Sequence, residues 1–490
     1  MTAQDNSNQA VTHAQRLAAA QEGNRRGVEK RNDRWYPRHH IAAPAGWIND
    51  PNGLCHFQGR YHVYFQHHPF SDHWGPMHWG HVSSTDMVTW RREPIALAPS
   101  LEEDRDGVFS GSAIERSDGT LAVFYTGHRW RNGVNEDDGN LQVQCLATST
   151  DGVTFDKRGV VVDCPEGLKH FRDPKVFAHD GRYYMFFGAC SADNRGQVWM
   201  YVSDDPTLER WEFDRVVYQD PNPDVFMLEC PDMFPLGDHW VIAYCPMGLA
   251  PRGHDFRNDH TSGYIVGDWQ PGQDFRPLGD FQPSDAGHNF YAPQTFRAPD
   301  GRRIQYAWMG SFTHESGPQL GGDGWTGQLT VPRELTLDPD TLRLVAQPIA
   351  ELTPTRTPVT LPLADAPVAD LTCTLQIAGG SAQRAGLTIA GAYLYYDAQT
   401  STLGLDLRTT GAGERGYRAL DVADLVEREG CLRLRVIIDH GSIEVYLPDG
   451  RSLTSCVFPA DGPRPIDFLS EGGEMELADV ELGTPVGEIQ

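Results

Sequence analysis

The residues best suited to chemistry are three acids far apart in the chain: Asp50 in "WINDPNG", Asp173 in "FRDPK" and Glu229 in "LECPD". Asp50 stands between Asn and Pro before a strand-like run, where Pro and Gly fix a tight backbone. Alone, Asn-Asp-Pro-Asn-Gly is ordinary turn chemistry, and "FRDPK" is an ordinary surface ion pair. Glu229 follows apolar residues, a costly place for a carboxyl without a task. Position then adds what residue type does not. Asp50 lies nine residues before Gly59 and Ser110 nine before Gly119, while Asp173 and Glu229 lie eight before Gly181 and Gly237. In a fifth unit, Asn289 and Tyr291 precede Gly301 at nearly the same level. Equivalent places in a radial repeat converge on its axis, so these side chains are expected to face one another. Crowded carboxyls resist ionisation, one pKa rises, and a proton donor results. One ionised and one protonated carboxyl are what cleavage of a glycosidic bond uses. The indoles of Trp47, Trp74, Trp79 and Trp308 offer flat apolar faces, so a sugar is the expected ligand.

The elements that must position these acids come from the repeat. Five segments, "GRYHVYFQHH", "GTLAVFYTGH", "GRYYMFFGAC", "GDHWVIAYCP" and "GRRIQYAWMG", each open on a turn Gly and continue as an aromatic-rich strand. A strand precedes each Gly. A further pair follows, marked by polar turns such as "STDMVTW" and "STDGVTF". Four strands per unit and five units predict an all-β fold, a five-bladed β-propeller over residues 35–350. Residues 351–367, rich in Pro and Thr, form the expected linker. Residues 368–490 alternate apolar and polar with period two, as in a β-sandwich. Residues 1–34 are an N-terminal extension, a short helix (9–30) or disordered.

Composition sets outer bounds. Of 490 residues, 67 are acidic and 41 basic, a formal charge of −26. That field repels nucleic acid and anionic membranes, so neither is an expected partner. No run is long and apolar enough for a membrane span, and the first 34 residues lack the core of a signal peptide. The nine cysteines include no CxxC pair. A reduced, cytoplasmic setting is expected. His62, His67, His68, His73, His78 and His81 match no metal-ligand spacing, so neither a metal nor a cofactor is expected. Cys230 has no His/Asn arrangement around it and is expected to tune Glu229 rather than attack substrate.

The chain also resembles glycoside hydrolase family 32, the invertases, fructanases and sucrose-6-phosphate hydrolases. The resemblance rests on "WINDPNG", "YFQHHP", "WGPMHWGHVSSTDMVTW", "FSGSA", "FRDPKV", "ECPD", "FYAPQTF", "WMG" and "GWTGQLTVPREL" in order, with "VIIDHGSIEVYLPDG" in the second domain. It implies a propeller followed by a sandwich and a double displacement that retains configuration. Asp50 would be the nucleophile, Glu229 the acid/base and Asp173 the transition-state stabiliser. The first two carboxyls would then lie about 5 to 5.5 Å apart. Asp173, beside Arg172, is expected to stay ionised. Trp47, Asn49, Gln66, Trp74, Phe109, Ser110, Arg172, Tyr291 and Trp308 would bind substrate. Asn289 departs from the Asp that many relatives carry. The implied activity is removal of terminal β-D-fructofuranosyl residues from sucrose, sucrose 6-phosphate or short fructo-oligosaccharides. A fructosyltransferase sharing the intermediate and a non-catalytic sugar-binding protein stay open, as do oligomeric state and the sandwich's role.

Overall fold

The computed structural model describes residues 12–490. Between Gly46 and Pro348 the chain forms five sheets of four or five strands, antiparallel apart from one short parallel pair, Gly46–Trp47 beside Trp325–Thr326. The first strands of these sheets are β1 (Gly46–Phe57), β2 (Gly107–Glu115), β3 (His170–His179), β4 (Met227–Leu236) and β5 (Tyr291–Arg297). Each touches the next, and β5 touches β1. Between sheets, aromatic and β-branched residues pack face to face, as where Phe57, Tyr64 and Trp79 meet Val123 and Tyr125.

Each first strand turns into its hairpin partner at the Gly expected from the repeat. Gly59, Gly119, Gly181, Gly237 and Gly301 have φ of 77, 80, 79, 61 and 95°. Only glycine enters that region without steric cost. The polar turns are also built alike: Asp86 accepts from the amides of Val88 and Thr89, and Asp151 from those of Val153 and Thr154. Each is backed by a Ser two residues earlier.

The expected helix forms as α1 (His13–Val28), capped by Thr12 and Gln15; residues 9–11 lie outside the described residues. Its buried Asn24 meets His67 at 2.7 Å, which seats the helix on the first sheet. The histidines near it are structural: His67 also bonds the Trp47 carbonyl, and His62 stacks on His81. Among the described residues no helix is long and apolar enough to cross a membrane.

Residues after 357 form a six-stranded and a five-stranded sheet around a core that includes Leu371, Leu387, Leu394, Leu405, Val436 and Ile443. Part of the stretch expected as linker joins them, since Thr357–Pro358 pairs with Glu481 and Leu482. The two parts meet across a buried charge network. His40 lies 2.8 Å from Asp439 and 2.9 Å from Glu444. Arg333 reaches Glu444 at 2.6 Å and Asp285 at 3.2 Å, all of these side chains being fully buried.

Candidate active site

The five first strands share an irregularity at one level. The pairing register of β1 slips between Ile48 and Pro51, of β2 between Val108 and Gly111, and of β3 between Arg172 and Lys175. In β4 and β5 it slips between Glu229 and Asp232 and between Tyr291 and Gln294. An extra residue in a strand breaks the ladder and re-aims side chains. Here the slips turn Asp50, Ser110, Asp173, Glu229 and Tyr291 toward one cavity of about 960 Å³. Three non-glycine residues in these slips take left-handed backbone, Asp173 (φ 67°), Cys230 (φ 49°) and Ala292 (φ 49°). Such conformations cost about 1–3 kcal/mol each and persist where surrounding structure holds them.

Cys230 joins the three acids. It follows Glu229 in the chain, its amide donates to Asp173 Oδ2 at 2.9 Å, and its thiol donates to Asp50 Oδ2 at 3.3 Å. Asp50 also accepts from Ser110 Oγ at 2.6 Å and from Asn49 Nδ2 at 3.0 Å. Asn49 is in turn fixed by the Trp47 indole N–H at 2.7 Å. Glu229 accepts from Arg172 Nη2 at 2.7 Å and from the Tyr291 hydroxyl. The Arg172 guanidinium also donates to His170 Nδ1 at 2.9 Å.

These contacts distribute the protons differently from the sequence expectation. Burial raises Asp50, and the charge of Glu229 adds to it, against the hydrogen bonds from Ser110, Asn49 and Cys230. Burial lifts Asp173 to about 7, because Arg172 offsets only part of that effect and Glu229 and Asp50 reinforce it. The expectation that Arg172 keeps Asp173 ionised is therefore corrected. The guanidinium is committed to Glu229 and comes no nearer than 3.8 Å to Asp173. Burial also pushes Glu229 upward, but Arg172 and Tyr291 outweigh it, and its pKa falls below the ordinary value. The raised carboxyls are thus Asp50 and Asp173, while Glu229 is held ionised.

Of the anticipated substrate-binding residues, Asn49, Gln66, Trp74, Phe109, Ser110, Arg172 and Tyr291 line the cavity. Trp47 and Trp308 do not. They are 3% and 1% exposed and pack at a tilt, ring centres 5.5 Å apart, behind Phe312, which is 37% exposed and supplies the wall instead. Trp79 is fully buried, its indole bonded to the Phe109 carbonyl. Residue type marked these indoles as sugar faces; burial makes them the support of the faces. Lining residues not anticipated include His128, Gln142, His170 and His260. None stands in a distinctive sequence context.

Asn289 gains an account. Its amide N–H donates to Glu414 of the second part at 2.7 Å, and its oxygen accepts from the Cys456 amide at 2.8 Å. An Asp there would set two carboxylates against each other, so Asn fits this partner. Glu414 also meets His314 at 2.6 Å, tying the second part to the loop that carries Phe312.

Buried carboxyls of unequal proton affinity, braced by an arginine and ringed by aromatic faces, define a site of the carboxylate glycosidase kind. A family model described as glycosyl hydrolases family 32 N-terminal domain matches residues 40–348, and one for the family's C-terminal domain matches 340–483. The chain belongs to glycosyl hydrolase family 32. It is 41% identical over 471 residues to a sucrose-6-phosphate hydrolase of Escherichia coli, covering 94% of this chain and 96% of that one. It is 40% identical to a raffinose invertase of Escherichia coli, covering 96% and 99%. Among solved structures it resembles the Bombyx mori β-fructofuranosidase BmSUC1, with a TM-score of 0.83 at 28% identity over 97% of this chain and 99% of that chain.

Proposed function

We propose that this protein is a retaining β-fructofuranosidase. It cleaves terminal β-D-fructofuranosyl residues from sucrose, sucrose 6-phosphate or short fructo-oligosaccharides. The relatives' names support this substrate class, and the observation that carries it is the meeting of Asp50, Asp173 and Glu229 around Cys230. In this reading Glu229 protonates the glycosidic oxygen as Asp50 attacks fructose C2, forming a fructosyl ester. Glu229 then takes a proton from water, whose oxygen breaks the ester. Asp173 holds ring hydroxyls as the ring flattens. The three hydrogen bonds on Asp50 favour the ionised form that an attacking group needs. Glu229 must gain a proton that its resting partners disfavour, so sugar binding has to loosen Arg172 or Tyr291 from it.

The five sheets serve as the blades of one propeller over residues 35–350, a reading supported by the cyclic contacts of β1 to β5. Residues 351–367 lead into a sandwich of residues 368–490, Thr357–Pro358 already pairing with its last strand. The nine cysteines are all free, which suits a cytoplasmic location. The deciding experiment follows the anomeric configuration of fructose released from sucrose by NMR, beside an Asp50→Ala control. Retention with an inert control is expected. Inverted product, or turnover surviving in the control, would remove Asp50 as nucleophile.

A further inference from the structure

The cavity extends past the three acids to two lips, the loop from Arg131 to Asn140 and the segment from Leu168 to His170. Asn140 and His170 meet across them at 3.3 Å. Two routes lead out to these lips. Along one, Glu229 is held by Arg172, Arg172 by His170, and Lys169 is the next residue. Along the other, the half-exposed indole of Trp74 abuts Trp130, and Arg131 follows it. In the reading above the leaving oxygen belongs at Glu229, and Arg131 and Lys169 line the same cavity as that carboxyl.

We propose that Arg131 and Lys169 form a cationic rim that selects a leaving group carrying a phosphate, the arrangement in a hexosyl 6-phosphate. This rests on the β-fructofuranosidase reading. Two observations and one point of chemistry carry it. Among the described residues, neither cation forms a close ion pair with a carboxylate, although both line the same cavity as Glu136 and Asp138. The Arg131 guanidinium makes no hydrogen bond to a described residue, and Lys169 Nζ makes one, to Asn194 Oδ1 at 3.2 Å. Guanidinium and ammonium are also the two groups that bind phosphate, one bidentately and one as a point charge. The chain's overall charge of −26 makes a local cationic rim the means by which a dianion could approach. Glu136 and Asp138 line the same loop and oppose it. They therefore weaken selection of a phosphate without touching the acids that do the chemistry.

The test is kcat/KM for sucrose and for sucrose 6-phosphate at low and high ionic strength, using the full chain and Arg131→Ala, Lys169→Ala, the double variant and Glu136→Gln/Asp138→Asn. Both cations are exposed, and an unchanged Tm shows the variants folded. The double variant is expected to lose about 10- to 100-fold on the phosphorylated substrate, within twofold of wild type on sucrose, and to lose the salt dependence specific to the phosphate. Glu136→Gln/Asp138→Asn is expected to raise the phosphorylated rate alone. Equal losses on both substrates, or an unchanged ratio between them, would overturn the rim while leaving the enzyme reading intact. Failure of the wild-type protein to release fructose from either substrate would instead overturn that reading, and the rim with it.

Discussion

Two of the buried charge clusters, the seam and the cavity, are balanced in opposite ways. At the seam, His40 and Arg333 face Asp439, Glu444 and Asp285, and nearly every oxygen has a donor. Asp439 alone accepts from the amides of Arg38, His39 and His440. Burial pushes Glu444 upward, yet Arg333 and His40 bring it down to about 2. At the cavity, three carboxyls share one close guanidinium, and two of them rise. Desolvation is the first force in both places. What differs is whether opposite charge is present to cancel it. Cancellation gives a rigid joint, whereas an uncancelled excess of one sign keeps a proton mobile near neutral pH, which is what acid–base chemistry needs.

The sharpest way to break this contrast is to neutralise one member of each cluster. Asp50→Asn keeps the shape and removes the attacking oxygen, so kcat is expected to fall by about 10⁴-fold or more. Stability should hold or rise, because a buried like charge is relieved. A fall in Tm together with lost activity would mean that Asp50 is structural after all. Arg333→Met does the reverse. It strands Glu444 and Asp285 in the seam, at an expected loss of about 3–5 kcal/mol in urea unfolding, with turnover per folded molecule little changed. A fully stable Arg333→Met protein would put the seam in the class of dispensable buried pairs.

The acids were legible in the sequence because the repeat converts distance along the chain into position around an axis. Asp50, Ser110, Asp173 and Glu229 are found by counting back from four of the turn glycines. The depth of the aromatics was not. Trp47 and Trp308 lie next to register slips, and one extra residue sends a side chain to the other face of a strand. The slip at Asp173 and Cys230 carries no glycine to announce its left-handed backbone. The seam was hidden for a different reason. His40 finds partners 399 and 404 residues away, and "PREL" and "IDHG" show only that charges exist, not that they meet. The proton positions were also out of reach, since Arg172 sits beside Asp173 in sequence but points to Glu229 in space.

The seam's own charge state offers a smaller, pH-dependent probe. Burial depresses His40, but Asp439 and Glu444 outweigh it and raise it to about 9 from an ordinary 6.5. A raised folded-state pKa means that its stabilisation is complete below pH 6.5 and is lost as pH climbs through 9. Stability should therefore decline between those values, by about 3 kcal/mol from this residue. His40→Gln should flatten that part of the curve while lowering stability at pH 6. An identical slope in the variant would show that His40 is not the titrating group.

The last probe returns to the cavity and asks what holds Glu229 ionised. Tyr291 donates to Glu229, and a hydrogen bond to the ionised form lowers the pKa. In Tyr291→Phe that donor is gone and Arg172 remains, so Glu229 should bind its proton more tightly but stay partly restrained. The acid form then survives to higher pH, and the basic limb of the kcat/KM profile moves upward. The loss at the optimum should be under about 100-fold, the low end of what a positioned proton donor contributes. A limb that moves downward would mean that Tyr291 stabilises the protonated carboxyl. A limb that stays in place would assign it to Asp173, which burial raises to about 7 and which the tyrosine does not contact directly. Either result would relocate the mobile proton within the cluster, and with it the residue that must release it to the leaving sugar.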